Sequence, residues 1–341
     1  MKSTCINLFL VILTTLFSFN SKAGENDSLS YKLYKNKVIL FTDIGYNSAP
    51  FSVQYPFDKD LSKIYYRNNY KTVLGLGGAY KWFSLRISFA IGQNTKSTEK
   101  YGTTDFRSLR AAYTYKQTYC EFDLRIFRGF AIKNAIEWND SLTSQNPNDI
   151  RPFTTSTGIS LNAWYFFNKD LNMNAFYGKK GSYKKSASSF YLKNTFNMYG
   201  VGNDQRTLLP NNLIDTANSK TESPYFSAID IGVIPGFAKI FKHKNWQIGG
   251  LFGLGAVIQN KYYETKQVTR GFLGLAPRYD IICVAGYSGD RRFILLSADF
   301  NNKSIRYNDL VYRQSFYHLK LIGGFRLKPK KENKKLKSNN I

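Results

Sequence analysis

Residues able to do acid–base or nucleophilic chemistry are scarce in this chain. Among 341 residues there are 2 His and 3 Cys, and a histidine is the usual base beside a nucleophilic serine. His243 stands in Phe241-Lys242-His243-Lys244-Asn245, a basic stretch without a carboxylate, and reads as a solvated turn residue. His318 shares one face of an alternating segment with Lys320, and the acids that could meet it from another segment are Glu121 and Asp123. A hydrolase or acyltransferase would need such groups gathered at one place. No His or Cys cluster has metal-ligand spacing, and no Asp-rich loop has EF-hand form. Gly75-Leu76-Gly77-Gly78 lies inside a strand pattern rather than in a phosphate-binding loop. The residues predict no catalytic set, no metal and no cofactor, and point away from an enzyme.

The charged residues of interest sit opposite apolar ones. From Trp82 to Ile91, Phe83, Leu85, Ile87 and Phe89 alternate with Ser84, Arg86, Ser88 and Ala90, the two-residue period of a two-faced strand. Cys120, Phe122, Leu124 and Ile126 likewise oppose Glu121, Asp123 and Arg125, and Leu319, Leu321, Phe325 and Leu327 oppose His318, Lys320 and Arg326. Three successive charges facing a dry sandwich core would be costly. One face suits hydrocarbon and the other suits water.

That pattern recurs along the chain. Strands are predicted at 36–46, 70–80, 82–92, 104–115, 118–129, 155–167, 170–178, 187–200, 225–239, 246–259, 271–285, 292–300 and 312–327, mostly long enough for the ~9–11 residues of a tilted membrane strand. Short turns at Tyr80-Lys81 and 167–170 alternate with long polar segments at 47–69, 130–154 and 201–224. The fold class is therefore all-β, a transmembrane antiparallel β-barrel with short turns on one rim and loops on the other. Thirteen segments conflict with the even number of such barrels. The segment 170–178 is the weakest, which leaves about 12 strands, with 10 or 14 as alternatives. Glycines such as Gly75, Gly77, Gly249 and Gly253 suit the bends of a closed sheet. Tyr70, Tyr80, Trp82, Tyr113, Tyr115, Trp164, Tyr165, Tyr199, Tyr225, Trp246, Tyr262, Tyr263, Tyr312 and Tyr317 near strand ends are expected to form interfacial girdles.

Residues 1–23 read as a secretory signal peptide, with Lys2, an apolar stretch from Ile6 to Phe19 and a small-residue cleavage site at Ser21-Lys22-Ala23. An N-terminal segment (24–34), the barrel (35–327) and a basic, disordered tail (328–341) follow. The formal charge of +25 becomes +23 once Lys2 and Lys22 are removed with the leader. An exported chain of this charge meets lipid headgroups and anionic envelope polymers before any nucleic acid. Two basic stretches are candidates for such contacts: the tail, and Lys179, Lys180, Lys184 and Lys185 if their loop faces outward. Cys120 and Cys283 remain in the mature chain, and their spacing leaves pairing open.

Arg86, Glu121, Asp123, Arg125, His318, Lys320 and Arg326 form the candidate lumen network. It would either set pore selectivity or fill a narrow barrel with salt bridges. Tyr66-Arg67-Asn68-Asn69-Tyr70 followed by Leu74-Gly75-Leu76-Gly77-Gly78-Ala79-Tyr80-Lys81-Trp82-Phe83 resembles the opening of the domain of unknown function 4421 family of Bacteroidota. Tyr101 to Phe106, Lys184 to Phe190, Pro235-Gly236 and Gly286-Tyr287-Ser288-Gly289-Asp290 extend the resemblance across roughly residues 30–327, with Ser188 and Ser288 departing from the usual Gly and Asn. It implies an outer-membrane β-barrel of unassigned function and no active site. The expected role is a non-enzymatic structural or interaction protein, or a narrow pore, embedded in outer-membrane lipid. The alternatives are a barrel enzyme acting on envelope lipids and a soluble periplasmic β-sandwich binding acidic glycans.

Overall fold

The computed structural model describes residues 29–57, 61–265 and 269–327; the predicted signal peptide (1–23) and the predicted basic tail (328–341) lie outside the described residues. Among the described residues sixteen strands occur: β1 (Tyr31–Leu33), β2 (Val38–Ser48), β3 (Phe51–Gln54), β4 (Lys63–Arg67), β5 (Lys71–Tyr80), β6 (Phe83–Asn94), β7 (Asp105–Tyr115), β8 (Thr118–Ile132), β9 (Asp149–Phe166), β10 (Gly181–Tyr183), β11 (Ala187–Asn203), β12 (Tyr225–His243), β13 (Trp246–Glu264), β14 (Thr269–Ser288), β15 (Arg292–Arg306) and β16 (Val311–Leu327). Fourteen belong to one sheet. Without β3 and β4, which bridge β16 to β8 at one end, twelve antiparallel strands follow in chain order and close on themselves where β16 pairs with β2, Phe325 opposite Leu40. A closed ring has no edge strand and is not a sandwich.

The period of two sets the faces. On β6, Phe83, Leu85, Ile87 and Phe89 are exposed while Arg86 and Ser88 are buried. On β16, Leu319, Leu321, Phe325 and Leu327 point out and His318, Lys320 and Arg326 point in. A hydrocarbon-facing exterior around a polar interior is the membrane-barrel arrangement. No described helix is long and apolar enough to cross a membrane.

The turn rim carries Lys81, Lys116 and Lys244 in left-handed conformation at tight connections, together with the longer insertion between β9 and β11. The loop rim carries 49–57, 61–70, 133–148 and 204–224. Four of the predicted girdle residues, Trp164, Tyr199, Tyr263 and Tyr312, turn inward and are buried, because they fall on the lumen parity of their strands; Tyr80, Trp82, Tyr115, Tyr165 and Trp246 do face outward.

Both rims are filled. The predicted strand at 170–178 is instead a one-turn helix, Met173–Phe176, whose N-cap Asn172 accepts a hydrogen bond from the Asn174 amide. The segment folds back as a plug, burying Leu171, Met173, Phe176 and Tyr177 against Trp164, Tyr191, Ile240 and Ile282. β10 then pairs with β1, Tyr183 opposite Tyr31. At the loop rim a bulge between Arg128 and Phe130 bends β8 inward. Gly129 is required there: its φ is +92° and a Cβ would sit 2.0 Å from the Thr103 carbonyl oxygen. The bent end meets β4, and Phe51, Tyr66, Phe130, Leu208, Leu209 and Tyr312 pack as an apolar layer across the mouth. Phe51 and Tyr66 stack at 4.2 Å, and the Tyr66 hydroxyl donates to Leu208 O at 2.5 Å.

Candidate functional site

The polar lumen lies between these two layers. β2 and β6 bring Asp43 and Arg86 together as a bidentate pair, with Nε and Nη2 each 2.6 Å from a carboxylate oxygen. β5 passes between them only because residue 75 is glycine; a Cβ there would lie 2.5 Å from Asp43 Oδ2. Lys320 on β16 lies diagonal to Asp43 on β2, facing the same lumen. On the neighbouring strands Asp123 accepts from Arg110 at 2.6 Å and from Arg125 at 2.5 Å. Glu121 lies 3.8 Å from Arg110 and accepts from the Tyr119 hydroxyl at 3.2 Å. His318 meets Asp299 at 3.2 Å rather than Glu121 or Asp123.

A second group occupies the opposite wall. Lys193 donates to Asp280 at 3.0 Å, and Lys303 donates to Ser160 at 3.1 Å. Arg278 pairs with Asp230 and donates to the Tyr199 hydroxyl at 2.7 Å, while Asn197 donates to Asp230 at 2.7 Å. Between the groups remains a cavity of about 60 Å³, bordered by Asp123, Arg125, Lys193, Asp280, Asp299 and Lys303. It is polar and large enough for water, and too small for a solute the size of a sugar. Bidentate and multiply bonded charges of both signs hold one another in place, so the network braces the barrel from inside.

Arg326 has a different task from the other predicted lumen charges. Its guanidinium donates to Lys179 O at 2.8 Å and also to Gly178 O and Gly289 O, and Ser288 accepts from it at 2.9 Å. It fastens the plug, helped by Gln247 Nε2 donating to Ala175 O at 3.1 Å and Phe176 O at 3.0 Å. The outward reading of the basic loop is corrected accordingly. Lys179 lies over the Phe41 and Tyr177 rings, Lys180 is buried, and only Lys184 and Lys185 reach the surface at the turn rim. The cause is β10: pairing with β1 draws the middle of the loop inside.

Burial lowers the ammonium groups of Lys179 and Lys180 from 10.5 to about 8, with Arg110 and Arg86 adding repulsion at Lys179. The docked plug therefore binds fewer protons than a released one between pH 8 and 10.5, so docking strengthens as pH rises through that window and is weakest below it. For Lys180, whose Nζ has no hydrogen-bond partner among the described residues, the cost below pH 8 is roughly 3 kcal/mol. Lys180→Met is expected to slow amide exchange over residues 171–183 at pH 7 and to flatten its pH dependence after correction for intrinsic rates. An unchanged slope in the variant would show that this lysine does not limit docking.

Asp43, Arg110, Lys193, Asp230, Arg278, Asp280, Asp299 and Lys303 were not among the predicted lumen residues. The alternation that located Arg86 also runs through Ala228-Ile229-Asp230-Ile231 and Arg278-Tyr279-Asp280-Ile281 and was the available signal. Cys120 and Cys283 are free, on strands separated in the ring. Among the described residues no group of three His, Cys, Asp or Glu is placed to hold a metal.

A family model matches residues 25–327. The chain belongs to the family described as Domain of unknown function (DUF4421). No curated protein sequence matches it. Among solved structures, this DUF4421 chain is similar to the outer membrane protease OmpT from Escherichia coli, at 8% identity, covering 88% of this chain and 99% of that one with a TM-score of 0.42. It is also similar to the β domain of the Bordetella autotransporter BrkA, at 12% identity, 84% and 99% coverage and a TM-score of 0.34. The toluene transporter TbuX of Ralstonia pickettii follows at 5% identity, 84% and 89% coverage and a TM-score of 0.29. The DUF4421 barrel itself rests on its own closed ring of strands.

Proposed function

We propose that this chain is an integral outer-membrane barrel, exported by its leader, that stays closed and serves as a non-enzymatic structural or interaction protein. The observation carrying this reading is the closure of both rims, by the plug at the turn rim and the aromatic layer at the loop rim, with the braced charges narrowing the lumen between them. With short turns periplasmic and long loops outside, the plug faces the periplasm, and the outward apolar side chains face membrane lipid.

Two measurements test it. The protein should fractionate with the outer membrane and migrate anomalously in SDS unless boiled, because a closed hydrogen-bonded ring resists detergent; a soluble, unshifted band would end the membrane reading. In planar bilayers the intact protein should be electrically silent, and regular conductance steps would replace the closed barrel with a pore. Against an envelope-lipid enzyme stand the burial of His318 in the barrel wall and the engagement of Asp123 by two guanidiniums. His318→Ala is expected to leave envelope lipid profiles unchanged, and an altered profile would reopen the catalytic reading.

A further inference from the structure

The outer wall is dented where four strands meet. The β14–β15 ladder runs only from Ser288 opposite Phe293 to Asp280 opposite Asn301, and β16 leaves β2 after Tyr317 opposite Ser48. Beyond those points the β15–β16 hairpin turns into the barrel, where Ser304 O accepts from the Tyr199 hydroxyl on β11 at 2.9 Å and from Gln259 on β13 at 2.9 Å. Asn302 partly replaces the lost ladder, accepting from the Tyr279 amide at 2.9 Å.

The withdrawal leaves a recess of about 340 Å³ on the lipid side, walled by Tyr46, Tyr70, Ile281, Phe300 and Tyr317. That is about twice the size of a ~150 Å³ cavity known to hold benzene. Its floor is made of small residues, Cys283 and Ala298. Phe300 and Tyr317 stack at 5.4 Å, and Tyr279 lies 5.7 Å from Phe300, making an aromatic shelf on the loop side.

Above the shelf the chemistry changes sign and polarity. Arg306 and Arg313 continue the outward faces of β15 and β16, and Arg67 is exposed at the end of β4, one strand away from β16 across β3, where Phe51 pairs with both Tyr66 and Gln314. All three are exposed, and among the described residues none has a carboxylate partner. Tyr317 and Arg313 are four residues apart on one strand, about 13 Å. An apolar slot ending in unpaired arginines matches a lipid chain with its phosphate. A second copy of the chain would instead bring the same cations together.

We propose that this recess seats an acyl chain of a phosphate-bearing lipid from the leaflet at the loop rim, with the phosphate held by Arg67, Arg306 and Arg313. The proposal rests on membrane embedding and not on closure of the lumen. Native mass spectrometry of the full chain in detergent would use bisphosphorylated lipid A and its dephosphorylated form as probes. One retained lipid A is expected, with at least tenfold weaker retention of the dephosphorylated form. The R67A/R313A variant should lose at least tenfold for lipid A and nothing for the dephosphorylated form, and A298W, which fills the floor, should weaken both. If A298W lacks the heat-shifted band, the arginine variant decides alone. Equal retention by the variants and wild type, or a dimer mass without lipid, overturns the proposal. Loss of the heat-shifted band in the wild type would instead count against embedding.

Discussion

Asp123→Ala is expected to cost about 3–5 kcal/mol of barrel stability, the range for removing one partner of a buried ion pair. Asp123 is 4% exposed and is the shared acceptor of two guanidiniums, Arg110 at 2.6 Å and Arg125 at 2.5 Å. Removing it leaves two cations facing each other in a closed space, with Glu121 the nearest acid to Arg110 at 3.8 Å. Asp123→Asn keeps the shape and an acceptor but not the charge, and should fall between. Adding Arg125→Met to Asp123→Ala should restore part of the loss, because a single guanidinium can still lean on Glu121. Urea unfolding of lipid-reconstituted protein, read as the loss of the heat-shifted band, measures all three. A loss under about 1 kcal/mol in Asp123→Ala would favour charges that tune an open, hydrated pore, where neither cation is desolvated. The same reasoning applies more weakly to Gly75→Ala, which pushes the Asp43 carboxylate off Arg86 without removing either group.

Most of the wall was legible because a strand's period of two is printed directly in the residues. Phe83, Leu85, Ile87 and Phe89 had to share a face with hydrocarbon whatever the partner strand, and Arg86, Glu121, Asp123, Arg125, His318 and Lys320 fell on the other face for the same reason. Which of those charges touch was not legible, since the register of the β15–β16 hairpin sets His318 opposite Asp299 and β5 admits Asp43 to Arg86 through a missing Cβ at Gly75. The rims were harder. Residues 170–178 contain Leu171, Met173, Phe176 and Tyr177, apolar enough to pass for a strand, yet they are buried by filling the lumen instead of spanning lipid. The lysines at 179 and 180 would ordinarily mark a solvated loop. Their burial depends on β1, more than 140 residues earlier, supplying the edge that β10 pairs with, and no local pattern encodes that meeting. Trp164, Tyr199, Tyr263 and Tyr312 were misplaced because nearness to a strand end says nothing about parity, which is what decides between the membrane interface and the lumen.

Opening the barrel should need two releases at once. Replacing residues 169–185 with a short Gly-Ser turn removes the plug held by Arg326 and Gln247, but leaves Phe51, Tyr66, Leu208, Leu209 and Tyr312, each at most 2% exposed, sealing the loop rim. Removing the β3–β4 hairpin over residues 51–67 opens that rim and leaves the plug. Each single deletion is therefore expected to stay silent in a planar bilayer, and the double deletion to conduct in regular steps, with the braced charges setting the narrowest point. Arg326→Ala is the gentler version of the first deletion: it strips the plug carbonyls Gly178 O and Lys179 O of their guanidinium donor and should raise exchange over residues 171–183 while conductance stays absent. Two closures in series make conductance depend on the product of two opening equilibria. Full conductance from either single deletion would show that the other layer is not a seal, and a conducting wild type would show that neither is.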